Sequence, residues 1–127
     1  MIKPDYDENS LPVFESVKNC FTYVEDMIEN GRAKSVWTVS GGGVAEGIAK
    51  MCFGNRIGFA FENRPSEEEL FLPHYGSFII EIDGEALENE IVLGKTKQEY
   101  NIFTKSYTLS LDSLQKTWEN KLEPVFP

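Results

Sequence analysis

The stretch Ser40–Gly43 is the part of this sequence whose residue types best suit ligand binding. It follows an apolar run and precedes a helical pattern. Glycine lets the backbone approach a ligand closely and adopts positive φ without strain. A turn that ends a strand and opens a helix also presents free backbone N–H groups to an anion. Ser40, Gly41, Gly42 and Gly43 are therefore the candidate phosphate-binding residues, although a purely structural strand-to-helix turn uses the same glycines.

Two nucleotide and hydrolase motifs are absent at this stretch. No Lys-Ser or Lys-Thr pair follows the glycines, so the stretch is not a P-loop, and Lys50 comes only later on the helix. The order G-x-S-x-G is also missing, so Ser40 is not in a nucleophile elbow. Any ligand contact here would come from the backbone N–H groups of Gly42 and Gly43, with Ser40 as a hydroxyl donor.

The other residues with reactive side chains indicate structural roles. The single histidine, His74, lies in a turn and is expected to be a surface or capping residue. Glu81 and Asp83 are two residues apart and could share a strand face, but solvating a turn is the expected role. Cys20 and Cys52 lie on predicted helical faces and are expected to be buried thiols. We assign no catalytic residue and no metal site from the sequence.

Length and charge narrow the class of protein. The chain has 127 residues, 41% of them hydrophobic, which fits one globular domain with a real core. Its net charge of −9 argues against nucleic acid or an anionic membrane as the main partner. It contains no apolar run of about 18 residues and no signal-peptide pattern. We expect a cytoplasmic protein.

Apolar spacing predicts the elements around the glycines. A helix is expected from Ser10, with Pro12 in its first turn, to Asn30-Gly31. A second helix should run from the glycines to Gly54, and a capping box at Ser66-Glu67-Glu68-Glu69 should open a third. Asp112 and Gln115 make a second possible capping box, which would open a last helix. The apolar face expected to be buried on the first helix comprises Phe14, Val17, Phe21, Val24 and Ile28.

Short apolar or alternating runs predict the strands. They are Ser35–Val39, Ile57–Phe61, Phe78–Ile82, Ile91–Leu93, Tyr100–Phe103 and Tyr107–Leu109. The resulting order predicts an α+β fold: a mixed β-sheet with helices packed on one side. We expect the domain to span residues 10–123, after a flexible lead-in over residues 1–9 and before the start of a linker at residues 124–127.

The glycine stretch resembles a motif of the aminoimidazole ribonucleotide (AIR) synthetase superfamily, in its C-terminal domain. Members often show V-H-D-x-S-D-G-G-L at a strand-to-helix junction. In this chain Ser40, Gly42 and Gly43 match, and Val44 replaces the leucine. Trp37, Thr38 and Gly41 stand at the histidine and aspartate positions. The resemblance therefore implies that the backbone glycines remain while the polar side chains are gone.

Three further stretches resemble one family more narrowly. The runs MCFGNRIGFAFE, YGSFIIEI and LDSLQKTWENKLEPVFP look like the long single-chain phosphoribosylformylglycinamidine synthases. They match the last AIR-synthetase-type C-terminal subdomain, just before the glutaminase domain. The resemblance covers most of residues 10–127. It implies an AIR synthetase C-terminal-domain-like fold that is incomplete at its start.

The resemblance also implies a function for the parent enzyme. That enzyme is an ATP- and Mg²⁺-dependent ligase of purine biosynthesis, which uses ammonia from glutamine to make formylglycinamidine ribonucleotide. The ATP-binding N-type subdomains and the glutaminase cysteine motif are absent here, so the chain alone should be inactive and should hold no cofactor tightly. Its partners would be the remaining synthetase subdomains and the glutaminase domain. The replacement of the histidine by Trp37 favours a structural or auxiliary role through packing.

Two other classes of function stay open. A non-enzymatic interaction module would show a large apolar patch and self-association without any response to ligand. A small phosphate- or nucleotide-binding domain would use the turn at Ser40–Gly43. An enzyme fragment should instead expose apolar surface where missing subdomains once packed, and that surface could also drive self-association.

Overall fold

The computed structural model describes residues 1–121, which form four helices and six strands. The predictions for residues 122–127, including the expected linker, lie outside these residues. The helices are α1 (Phe14–Glu29), α2 (Gly43–Asn55), α3 (Glu67–Phe71) and α4 (Leu111–Glu119). The strands are β1 (Ala33–Thr38), β2 (Gly58–Phe61), β3 (Phe78–Ile82), β4 (Gly94–Lys97), β5 (Asn101–Phe103) and β6 (Thr108–Ser110).

The elements form two compact units, and together they confirm the α+β class. The first unit contains Met1–Gly47 and Pro65–Val92, and the second contains Ile48–Arg64 with the described residues from Leu93 onward. Each unit has its own sheet. The expected single mixed sheet is therefore wrong within the described residues. One cause is that β4 has a polar sequence without apolar alternation, so no sequence pattern indicated the strand that pairs with β2.

The first unit is built on a two-stranded antiparallel sheet. β1 pairs with β3 so that Val36 lies opposite Ile80 and Trp37 lies opposite Ile79. α1 covers this sheet, because Cys20 and Val24 share a buried cluster with Phe78. The remaining members of that cluster are Ile2, Tyr23, Val36 and Ile80. This small core fixes the strand end from which the glycine turn departs.

The second unit contains a four-stranded mixed sheet in the order β4-β2-β5-β6. β2 pairs antiparallel with β4 and parallel with β5, and β6 closes the other edge. The edge strand β4 has the sequence GKTK, and lysines on an exposed edge discourage pairing with other chains. The expected strand Ile91–Leu93 is wrong, because the strand begins only at Gly94.

α1 begins later and faces the core differently than its apolar spacing predicts. Ser10 is not its cap: this residue has φ +61 in a preceding turn, and the N-cap is Val13. The helix ends at Asn30 and Gly31, as expected. The buried residues are Cys20, Val24 and Met27. Of the expected buried face, Val24 is buried and Val17 is half-buried, whereas Phe14, Phe21 and Ile28 are exposed.

Residues 1–9 were expected to form a flexible lead-in, but Ile2 packs into the core of the first unit. Ile2 is buried, and its backbone exchanges two hydrogen bonds of 2.9 Å with Phe78. The Asp7 carboxylate accepts the Asn9 and Leu11 N–H groups and so fixes the turn before α1. Local polar composition did not reveal this order, because the pairing partner of Ile2 lies far along the chain.

Two helix starts test the predicted caps. At α3 the capping box is confirmed: Ser66 Oγ accepts the Glu69 N–H at 3.2 Å, and the Glu69 carboxylate accepts the Ser66 N–H at 3.3 Å. At α4 the cap is Ser110, which accepts the Ser113 N–H. The expected capping box of Asp112 and Gln115 is therefore wrong, because the helix already begins at Leu111 after the Ser110 cap.

Candidate functional site

The candidate site is the turn Ser40–Gly43, which joins the end of β1 to the start of α2. The Val39 N–H donates to the Ser77 carbonyl at 2.9 Å, which holds the chain as it leaves the strand. The Gly43 N–H then donates to the Ser40 carbonyl at 2.9 Å and closes the turn. The expected strand-turn-helix junction is therefore present.

Gly43 is required by the packing of the turn. Its φ is +66, which an L side chain adopts only with strain. A Cβ at this position would lie 2.6 Å from the Leu70 carbonyl oxygen and 2.9 Å from that of Leu72. The turn backbone thus lies directly against the end of α3. This contact explains Gly43 without any ligand.

A carboxylate of the chain itself takes the hydrogen bonds offered by the turn. Ser40 Oγ donates to Glu46 Oε2 at 3.2 Å, and the Gly42 N–H donates to the same oxygen at 3.1 Å. Glu46 lies in the first turn of α2, where a negative charge is stabilised by the helix dipole. The place expected to hold a phosphate therefore already holds an internal anion.

This arrangement weakens the turn as an anion site. An incoming phosphate has to displace Glu46 or lie beside it. Two like charges about 4 Å apart near a protein surface repel by about 4 kcal/mol at an effective dielectric of about 20. The helix N-terminus offers only about half a charge in compensation. The geometry favours a closed structural turn over an open phosphate cradle.

The four predicted site residues have different surroundings. Ser40 and Gly42 are brought together on Glu46. Gly41 is exposed, and a Cβ there would meet open space. Gly43 is buried. The assignment of these residues to phosphate stays a prediction, and sequence reasoning missed Glu46, although its position in the first turn after the glycines was a visible signal.

Trp37 stands where the resembling motif has a histidine, and it packs against α2. A Cβ at Gly47 would lie 2.9 Å from Trp37 Cδ1 and 2.6 Å from Ile79 Cδ1. The missing side chain at Gly47 therefore lets the helix approach the sheet over the indole ring. The indole ring of Trp37 therefore has a packing role between the helix and the sheet. Thr38, at the next motif position, is exposed.

The other candidate side chains take structural positions. The His74 Nε2 lies 3.2 Å from the Glu69 carbonyl, and burial lowers the pKa of this imidazole. Glu81 accepts the Ser35 hydroxyl at 2.9 Å, whereas Asp83 is exposed just beyond β3. The pKa of the Cys20 thiol is raised, first by burial and then by Asp5.

The two cysteines are buried and form no disulfide, as their helical positions predict. Cys20 lies in α1 and Cys52 in α2. A buried thiol with a raised pKa is a poor nucleophile. This applies to the Cys20 thiol.

The first unit contains a buried cluster of donors around the Glu90 carboxylate, which was not predicted. The two terminal guanidinium nitrogens of Arg32, Nη1 and Nη2, donate to Glu90, whose side chain is 6% exposed. Tyr23 Oη donates to Glu90 at 2.9 Å, and the Leu87 N–H donates at 2.7 Å. The hydrogen bond from Arg32 is the main cause that lowers the pKa of Glu90 to about 2. Because the partners lie 58 and 67 residues away, no local motif could reveal this cluster.

Within residues 1–121, no group of three or more His, Cys, Asp and Glu side chains is placed to hold a metal ion. No helix in the same part of the chain is long and apolar enough to cross a membrane. The chain matches no protein-family model, no curated protein and no solved structure in the three comparisons made.

Proposed function

We propose that this chain is a subdomain of a phosphoribosylformylglycinamidine synthase: the last AIR-synthetase-type C-terminal subdomain, with a structural or auxiliary role. The four resembling stretches support the family. The order of β1, glycine turn and α2 agrees with the strand-to-helix junction of the motif. An AIR synthetase C-terminal-domain-like fold and a cytoplasmic location belong to the same proposal.

The observation that carries the auxiliary role is the position of Glu46. Its carboxylate accepts from Ser40 and Gly42, which are the donors that a phosphate would need. Trp37 adds support, because it packs against Gly47 where the motif has a histidine. In the parent enzyme, ATP and Mg²⁺ would bind to other subdomains, and glutamine would be hydrolysed in the glutaminase domain. This chain would support the fold around them and would not catalyse the reaction alone.

Isothermal titration tests the auxiliary role. The chain is titrated with ATP–Mg²⁺, ADP, formylglycinamide ribonucleotide and orthophosphate. We expect no saturable heat from any of them. A Cβ at Gly42 would overlap the Glu46 side chain, so Gly42→Val should disrupt the turn. Saturable binding that is lost in this variant would contradict the auxiliary role and would favour the small phosphate- or nucleotide-binding domain.

A chimera tests the family. The corresponding segment of a known single-chain phosphoribosylformylglycinamidine synthase is replaced by this chain, and growth of a purine auxotroph is measured. We expect growth with the wild-type segment and with Gly41→Ala, since Gly41 faces open space, and loss with Gly43→Ala, where a Cβ overlaps backbone. A chimera that is folded and fails to support growth would contradict the proposed family.

A further inference from the structure

The outer side of α1 carries a line of three large apolar side chains that are more than half exposed. Phe14, Phe21 and Ile28 are 77%, 56% and 55% exposed. They are seven residues apart, so they lie close to one line along the helix. The line is about 21 Å long, from the rise of about 1.5 Å per residue. A series of large exposed apolar side chains on one element is typical of an interaction surface. We call these three residues the α1 stripe.

The α1 stripe is held by the core of the first unit. The Phe21 ring packs edge-on against the buried Phe78, with the ring centroids 5.0 Å apart. Cys20 and Val24 anchor the same part of the helix in the buried cluster. The stripe is therefore presented by a fixed helix. A partner that packs on it has little ordering of α1 to do, which favours affinity.

The charged side chains of α1 indicate which kind of partner could bind the α1 stripe. α1 carries four exposed carboxylates and one exposed ammonium group. They are Glu15, Glu25, Asp26 and Glu29, against Lys18. At 100° per residue, Glu25, Lys18 and Glu29 lie directly beside the stripe, on the side away from the buried face. The whole chain has a net charge of −9. A second copy would bring these carboxylates together, and juxtaposed like charges disfavour association.

We propose that the α1 stripe docks an amphipathic helix of another protein segment, whose apolar residues are flanked by lysine or arginine. The seven-residue spacing matches the anchor spacing of a helix that lies alongside another helix. Basic flanks satisfy the carboxylates of α1 and fix the orientation of the partner. The inference stands on α1 alone and does not rest on the proposed enzyme family.

A selection experiment tests this proposal on the whole chain. The probe is a display library of helical peptides with apolar residues fixed at seven-residue spacing and with the flanking positions random between lysine, arginine, glutamate and serine. We expect lysine and arginine to be enriched at the flanks. The affinity of a selected peptide should fall as salt is raised, because exposed charges are screened.

Matched variants locate the binding surface. Phe14→Ser with Ile28→Ser removes the ends of the stripe, and both side chains are exposed, so the fold should be unchanged by circular dichroism. The loss of each interface anchor should weaken binding about tenfold, so the double variant should bind about a hundredfold more weakly. Leu87→Ser removes an equally exposed apolar side chain of the same unit, outside the stripe, and should leave binding within about twofold.

Three results overturn the proposal. The first is a selection that enriches no peptide, or enriches peptides without basic flanks. The second is binding that survives the double variant while the fold is intact. The third is a dimer in sedimentation velocity that the double variant dissociates, since the occupant of the stripe would then be a second copy of this chain.

Discussion

Neutralising Glu90 should remove a large part of the stability of the first unit. Its carboxylate accepts hydrogen bonds from Arg32, Tyr23 and the Leu87 N–H, and its side chain is 6% exposed. In Glu90→Gln, an NH₂ group replaces one of the two acceptor oxygens and faces donors. Removing one partner of a buried, hydrogen-bonded pair costs roughly 3–5 kcal/mol.

The pKa of Glu90 gives an independent magnitude and a pH dependence. Its pKa falls from 4.5 to about 2 on folding. Because the folded pKa is the lower one, the stabilisation is present above the unfolded pKa and is lost as the pH falls through about 2. At 1.36 kcal/mol per unit, the shift corresponds to about 3 kcal/mol at pH 7. The same linkage leaves about 1 kcal/mol at pH 3.

Urea unfolding at several pH values measures this effect. Trp37 lies in the same unit as Glu90, so a Trp118→Phe background lets fluorescence follow that unit. We expect Glu90→Gln to lower the free energy of unfolding by about 3 kcal/mol at pH 7 and by about 1 kcal/mol at pH 3. Glu88→Gln, at a neighbouring exposed carboxylate, is the matched control and should cost less than about 0.5 kcal/mol. Equal losses in the two variants, or a Glu90→Gln loss that does not shrink on acidification, would refute the reasoning.

Two further predictions concern the packing of the turn and the buried thiols. Gly43→Ala should lower the free energy of unfolding by about 2–4 kcal/mol in denaturant titrations, from positive φ and overlap with the Leu70 carbonyl, whereas Gly41→Ala should stay within about 0.5 kcal/mol; similar losses at both glycines would contradict this packing. In a Cys52→Ser background, Cys20 should react with a disulfide reagent only after unfolding, because burial raises its thiol pKa; fast labelling of the folded chain would show that the thiol is accessible.

Local chemistry predicted much of the fold. The strand at Phe78–Ile82 agrees with its sequence prediction, and so does the capping box at Ser66, because neighbouring residues decide both. The end of α1 at Asn30 and Gly31 follows from the same kind of signal. Where the hydrogen-bond partners lie within a few residues, the sequence is sufficient.

Long-range packing decided the rest. Cys20 and Val24 pack in the buried cluster with Phe78, and Met27 is also buried, whereas Phe14 on the same helix is exposed. Periodicity identified the amphipathic helix but did not show which of its apolar residues face the core. The pairing of Ile2 with Phe78 had no local signal for the same reason.

The sequence was sufficient to predict where the candidate site lies, but not whether its turn is open to a ligand or closed by a side chain of the chain. The glycines at Ser40–Gly43 correctly located a strand-to-helix turn. Whether such a turn is open or closed depends on the side chains that reach it. Glu46, four residues after Gly42, accepts the Gly42 N–H group. A carboxylate in the first helical turn after a glycine turn therefore indicates that the turn can be closed by the chain itself.

The amide signal of Gly42 in a ¹⁵N–¹H spectrum tests the closed turn most directly. The signal is followed while millimolar orthophosphate is added at constant ionic strength, with the exposed turn residue Gly31 as the internal reference. We expect that the Gly42 signal does not shift with phosphate in the wild type. Glu46→Ala should move the signal without any phosphate, because the 3.1 Å hydrogen bond is lost. A saturable phosphate-induced shift of Gly42 in the wild type would contradict the closed turn and would make Ser40–Gly43 an anion site.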